Sequence, residues 1–338
     1  MKYVVKTFLL LVGVVGISFQ LAEAEPFTPG NLVLTDATND RLIEVELDIE
    51  NETGTIVQIV EWPLGDMQRR RPLGFAFDPL GNAYVGLTGV PQSATESVQY
   101  PDGIAQIMRI APDGTQTFHT LPPEEINKIT VVSSFNANEV FVMRNTPLTP
   151  PTYHFRVRFD GDEIVDTTKF LVSADSGSFG EVLMLEDGTI WIPLQNQNQI
   201  NVYSAEGGEP IGSIPTQKGY ISFAYDPDKD YLLALVNGQK IIDKIDFEGN
   251  ILDTMNFAQL DGINESWNVI FLGDGSDRFV LAEKTETGSN YPNSVFIYDA
   301  NDFFELPKII TLDLDAPSSL FDFHFVPVPT AIDSWDLF

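Results

Sequence analysis

Three carboxylates alternate along Asp226-Pro227-Asp228-Lys229-Asp230, a spacing that can turn several oxygens onto one hard cation such as Ca2+. A calcium loop usually adds a glycine after the third acid and a bidentate acid further on. Here Tyr231 follows and the apolar run Leu232–Leu235 begins at once, so the same residues also read as a plain hairpin turn. Asp274, Ser276 and Asp277 give the same two readings. Arg69-Arg70-Arg71 is the one basic run. Its guanidinium forks suit a carboxylate or sulfate; as a solvated linker between structural units it would pair instead with Asp66 and Glu61. Tyr100, Tyr153 and Tyr291 each stand near a proline, in Tyr100-Pro101, Pro150-Pro151-Thr152-Tyr153 and Tyr291-Pro292. Amphipathic rings on stiffened loops suit contacts with sugars or protein surfaces. They equally suit folding each loop back onto its own strands. His119, His154 and His324 are scattered, and no Gly-x-Ser-x-Gly elbow, phosphate-cradling glycine loop or His-Glu-x-x-His motif occurs. The chain has no cysteine, which excludes a cysteine nucleophile and any disulfide framework.

The charge balance narrows the partners. There are 49 acidic against 19 basic residues, a formal net charge of -30. Such a surface repels nucleic acid and anionic membranes and suits solubility or cation binding. Lys2 and Lys6, the apolar run Phe8–Ile17 and the small residues of Ala22-Glu23-Ala24 form the three regions of a secretory signal, which predicts cleavage before Glu25. The expected destination is secreted, periplasmic or cell-surface, with no membrane insertion after cleavage. This divides the chain into a signal peptide (1–24), a folded domain (25–329) and a C-terminal tail (330–338).

What positions the candidate residues is a repeat. The stretch Arg71–Leu87, RPLGFAFDPLGNAYVGL, is a strand, a Pro/Gly/Asn turn and a returning strand. Leu73, Phe75 and Phe77 alternate with Gly74 and Ala76, as in a strand covered on both faces. Ala105–Ala111, the turn at Asp113-Gly114 and Thr115–Thr120 complete a four-stranded unit. Similar units follow over Ile129–Val172, Glu181–Thr216, Tyr220–Phe257 and Trp267–Leu312. Near the C-terminus Phe321–Pro327 lays over Leu73–Pro79, with Phe323 and Phe325 on Phe75 and Phe77. Gly30-Asn31 and Leu32–Thr35 lay over Gly81-Asn82 and the strand after it. The two ends therefore make a sixth unit between them. The prediction is an all-β, six-bladed β-propeller of four-stranded antiparallel blades, its ring closed by the C-terminal strand pairing with the N-terminal blade.

Asp36-Ala37-Thr38-Asn39-Asp40-Arg41, then Arg71–Pro79, resemble the NHL-repeat family of six-bladed propellers, through Asp36, Asn39, Arg41, Gly74, Asp78 and Gly81. The resemblance implies the fold and leaves function open, because such propellers serve as platforms, scaffolds and enzymes. The gluconolactonase-type propellers are similar in blade number and export. That likeness would imply a divalent metal at the channel mouth, held at the starts of first strands. The corresponding positions here are Leu73, Thr130, Gly180, Ile221 and Asn268, of which only Asn268 has a ligating side chain; Glu181 and Glu265 lie one to three residues off register.

Propeller geometry puts the connections between second and third strands, and those between blades, on one face. Three of the former are long: Thr88–Ile104, Asn145–Tyr153 and Glu283–Asn293, each holding one of the three tyrosines. Long connections grouped on one face point to a binding face. The expectation is an exported, non-catalytic propeller without a cofactor, binding a protein or glycan there. The alternative is a hydrolase, lactonase or lyase at the channel mouth, using Glu181, Glu265 or Asn268.

Overall fold

The computed structural model describes residues 25–65, 67–91, 104–120, 131–133, 136–143, 152–172, 182–185, 187–194, 196–236, 238–257, 266, 268–283, 293–315, 318 and 320–328. These residues form six antiparallel sheets of four strands. Blade 1 contains β1 (Leu32–Asp36), β2 (Arg41–Asp48) and β3 (Thr53–Glu61). Blade 2 is β4 (Met67–Phe77), β5 (Ala83–Pro91), β6 (Ile104–Ile110) and β7 (Gln116–Thr120). Blade 3 is β8 (Val131–Ser133), β9 (Glu139–Met143), β10 (Thr152–Asp160) and β11 (Glu163–Val172). Blade 4 is β12 (Leu183–Met184), β13 (Thr189–Leu194), β14 (Gln199–Ser204) and β15 (Gly212–Pro215). Blade 5 is β16 (Tyr220–Ala224), β17 (Leu232–Val236), β18 (Ile241–Ile245) and β19 (Ile251–Asn256). Blade 6 is β20 (Ile270–Phe271), β21 (Arg278–Ala282), β22 (Ser294–Asp299) and β23 (Lys308–Thr311). The last strand, β24 (Leu320–Phe325), is the inner strand of blade 1.

The ring closes as the repeat predicts. Leu32 pairs with Phe325, Val33 with His324 and Leu34 with Phe323. Beyond the pairing, Val326 N–H donates to the Asn31 carbonyl at 2.8 Å, as Asp78 N–H donates to Asn82 at 2.9 Å in blade 2. The two chain ends thus rebuild the strand–turn–strand unit that blade 2 makes from contiguous residues.

The alternation of side chains explains why neighbouring blades stack. In β17 all five residues are buried. Leu233 and Leu235 enter a core shared with blade 6, whereas Leu232, Ala234 and Val236 enter one shared with blade 4. A strand with period two feeds two interfaces at once, and six such clusters join the six blades. Each large side chain so buried, such as Phe223 or Phe279, stabilises the ring by about 1.5–3 kcal/mol. The outermost strand β3 instead alternates exposed and half-buried residues along most of its length.

Polar ties add to this stacking. Gly208 N–H donates to the Lys169 carbonyl at 2.8 Å and Leu171 N–H to Gly208 at 2.7 Å, a bridge between blades 3 and 4. Gly207 allows that approach: its φ is +81°, and a Cβ there would stand 2.5 Å from the Lys169 carbonyl oxygen. Most aspartates that begin the hairpin turns accept a backbone N–H two residues on, as Asp113, Asp187, Asp226, Asp246 and Asp274 do. Part of the chain's acidity is therefore turn chemistry.

Candidate functional site

All inner strands occupy the same position in their blades, so each end of the ring collects one kind of connection. One end gathers the β5–β6, β9–β10 and β21–β22 connections and the links between blades; the other gathers the first hairpin turn of every blade.

At the first end blade 2 is extended. β4 has 11 residues, against 2 to 6 in the inner strands of the other blades. Arg69, Arg70 and Arg71 pair with Val90, Gly89 and Thr88 of β5. This corrects the expectation of a linker between blades. Arg-Arg-Arg-Pro reads as punctuation, but Pro72 stands at a bulge between Pro72 and Gly74, where a missing N–H is tolerated. Arg69 and Arg70 also have partners that the sequence did not suggest. Arg69 forms a two-pronged pair with Asp40, Nε to Oδ2 and Nη2 to Oδ1 both at 2.9 Å, and Nη2 also donates to the Thr38 carbonyl at 2.8 Å. Arg70 donates to the Pro63 carbonyl at 2.6 Å and lies 4.6 Å over the Phe118 ring. Asp40 and the Phe118 ring are reached because the strand carries the guanidiniums toward the neighbouring blade and the outer strand β7; Asp66 lies outside the described residues. Arg69's fork is filled by its own chain.

Tyr153, in β10, is half-buried against its own blade. Its ring is 6.5 Å from Phe155, and Lys169 Nζ of β11 lies 5.6 Å from its centroid. The contact is of the fold-back kind. Tyr100 and Tyr291 lie outside the described residues, as do Glu181 and Glu265.

Asn268 stands just before β20 and is fully buried. Its Oδ1 accepts from Ser222 Oγ at 2.6 Å and Val269 N–H at 2.9 Å; its Nδ2 donates to Asp322 Oδ1 at 2.7 Å. Asp322, itself 2% exposed, accepts from Phe75 N–H through Oδ2 at 2.9 Å and from its neighbour Phe323 N–H through Oδ1 at 2.9 Å. Its backbone N–H and carbonyl meet the Thr35 hydroxyl at 2.9 and 3.2 Å. Ser222, Asn268, Asp322 and the Phe75 amide belong to blades 5, 6, 1 and 2. They form an arc of hydrogen bonds that ties the inner strands of four successive blades across the closure point. Sequence reasoning singled out Asn268 and missed Asp322 and Ser222, which are separated from it by 54 and 46 positions. The one available signal was a polar residue inside the apolar closing strand, Phe321-Asp322-Phe323.

At the opposite end the first turns of blades 5 and 6 and the end of β24 border a half-open cavity of about 340 Å³. Its lining includes Tyr225, Asp226, Asp228, Phe271, His324 and Phe325. Asp226 Oδ1 accepts Asp228 N–H at 3.1 Å and its Oδ2 is 3.5 Å from Lys229 Nζ, so this acid is a turn-former. Asp228 and Asp230 are exposed. Among the described residues no group of three or more His, Asp or Glu side chains converges to hold a metal ion.

Comparison with known proteins adds the fold and no closer kinship. No protein-family model matches the chain, and no curated protein matches it in sequence. It is similar in structure to a protein of unknown function from Bacteroides caccae, with a TM-score of 0.57, 10% identity, and coverage of 85% of this chain and 100% of that one. A chain of a nidogen/laminin complex matches with a TM-score of 0.57 at 11% identity, over 89% of this chain and 99% of the other. A candidate 6-phosphogluconolactonase from Bacteroides fragilis matches with a TM-score of 0.54 at 11% identity, over 88% of this chain and 97% of that one. Identities this low speak for the shared architecture alone. The chain is a six-bladed β-propeller.

Proposed function

We propose that this chain is an exported, non-catalytic propeller that binds a protein or a glycan through the face carrying the β5–β6, β9–β10 and β21–β22 connections. The observation that carries this reading is the state of Asn268. Among the positions where the lactonase likeness would place a ligand, it is the described side chain able to ligate. Both of its polar atoms are engaged in tying the ring together. Reassigning it to chemistry would leave Ser222, Val269 and Asp322 short of a partner in the buried centre. The extended β4–β5 hairpin adds a rigid ridge to the same face, and presence of this fold in a nidogen/laminin complex is in keeping with a protein partner. Export rests on the leader of residues 1–24, and the reading requires no cofactor.

Replacing segments 92–103, 144–151 and 284–292 of the mature chain by two-residue turns tests this. Binding to a panel of extracellular glycans and matrix proteins is expected to fall by at least ten-fold, while the melting temperature changes little. Undiminished binding by the shortened protein would refute the assignment of the face.

A further inference from the structure

We propose that the cavity on the opposite, turn-bearing face is a separate binding site for a compact organic cation, such as a quaternary or primary amine with a small apolar body. Three observations converge on that chemistry.

The first is shape. The cavity of about 340 Å³ is bounded by the ends of the inner strands of blades 5, 6 and 1. Its volume falls within the roughly 300–1,000 Å³ typical of small-molecule sites. The second is its wall. Tyr225, Phe271 and Phe325 border it, and aromatic faces attract cations that are weakly hydrated. Lys229 Nζ, 5.2 Å from the Phe271 centroid, already illustrates that attraction.

The third is charge. Lys229 pairs with one of the two lining carboxylates, Asp226, and more closely with Asp277 outside the lining. Its Nζ stands 2.9 Å from Asp277 and 3.5 Å from Asp226. Hydrogen bonds from Tyr231, Lys229 and Asn301 hold the Asp277 carboxyl far below the usual carboxylate range, so Asp277 keeps its negative charge and its hold on Lys229. Asp274, beside the cavity glycines, is likewise paired, with Arg278 at 2.7 Å. Asp228 remains. Its carboxylate borders the cavity and makes no hydrogen bond or ion pair with any described residue. His324 lines the inner side with Nε2 3.5 Å from Asp322 Oδ1, so its ring is directed to the buried arc.

A bare metal ion fits this arrangement poorly. A hard cation takes six to eight oxygens. The cavity offers two carboxylates, one of them already bonded to its own turn and to Lys229, and Tyr225, Phe271 and Phe325 make up much of its apolar wall. A quaternary ammonium ion needs one unpaired carboxylate and aromatic surface, which is what borders the space.

Choline, with its neutral isostere 3,3-dimethylbutan-1-ol, probes the site by calorimetry and ligand-observed NMR on the mature chain. Choline is expected to bind one to one with a Kd on the order of millimolar, and the alcohol about ten-fold more weakly. Asp228→Asn keeps the turn, because the hydrogen bond there uses the residue's backbone N–H, and is expected to weaken choline about ten-fold with an unchanged melting temperature. Tyr225→Ala is expected to weaken both ligands. Three results would overturn the proposal: no choline binding at about 50 mM, equal affinity for the alcohol, or affinity indifferent to both substitutions. Stoichiometric Ca2+ binding that displaces choline and is lost in Asp228→Asn would replace the organic cation by a metal and overturn it too.

Discussion

Asp322→Ala is expected to lower the stability of the propeller by about 3–5 kcal/mol, a fall in melting temperature of roughly 5–10 °C for a domain of this size. The substitution removes the acceptor of the Phe75 N–H, the Phe323 N–H and Asn268 Nδ2, all in the buried arc. Each donor so orphaned costs about 1–3 kcal/mol. The damage falls where β24 joins the N-terminal blade, so the loss reads out the closure itself. Asp322→Asn is expected to cost about half as much, since one oxygen survives while the new amide faces a donor. Urea unfolding of the three proteins measures this. Midpoints for Asp322→Ala within experimental error of the parent would show that the arc contributes nothing to closure.

The second large effect is expected at Asp78. This residue is fully buried at the end of β4. It accepts from Leu80 N–H and Asn82 N–H at 2.9 Å, Asn82 Nδ2 at 2.7 Å, the Tyr84 hydroxyl at 3.2 Å and, across the blade boundary, Asn138 N–H at 2.8 Å. Asp78→Ala therefore undoes the first hairpin of blade 2 and its tie to blade 3 together, with an expected loss of about 3–5 kcal/mol. Tyr84→Phe, which removes only the longest of these bonds, is expected to cost about 1 kcal/mol. In the double variant the second change is expected to add less than it costs alone, because the Asp78 partner has gone while the contact of the Tyr84 hydroxyl with Arg109 remains. Fully additive losses in the denaturation cycle would mean that the hydroxyl and the carboxylate do not interact. The phenol also reports on the site: burial and then the Asp78 charge push the Tyr84 pKa up, so removing Asp78 lowers it.

The repeat made the fold legible because a blade is a local object. Strand alternation at Leu73-Gly74-Phe75, a turn at Asp78–Asn82 and a hairpin at Asp113-Gly114 each lie within a few residues, and their recurrence gives both the blade number and the closing strand. Asp78 and Asp36, noticed as matching positions, prove to be the acceptors that build their turns. What joins distant segments was far less legible. Asp322 meets Phe75 across 247 positions, and Arg69 meets Asp40 across 29. Nothing local marks either pair. The β4 extension was hidden because arginines before a proline have the composition of a linker, while the pairing that makes them a strand comes from β5. The cavity was hidden for the same reason: three blades contribute to it. Asp226 and Asp228 were noticed by spacing as candidate calcium ligands or turn residues; one is a turn-former paired with Lys229, and the other borders the cavity with Tyr225, Phe271 and Phe325.

The proposed binding role predicts which face engages a partner. Hydrogen exchange of the propeller, with and without a partner drawn from the glycan and matrix panel, tests this most directly. Protection is expected to concentrate in peptides covering 88–104, 144–153 and 283–293, with Asp78–Asn82, Asp226–Tyr231 and the outer strand β3 unchanged. Protection confined to the outer strands or to the turn face, with those three peptides unaffected, would contradict binding through the face of long connections.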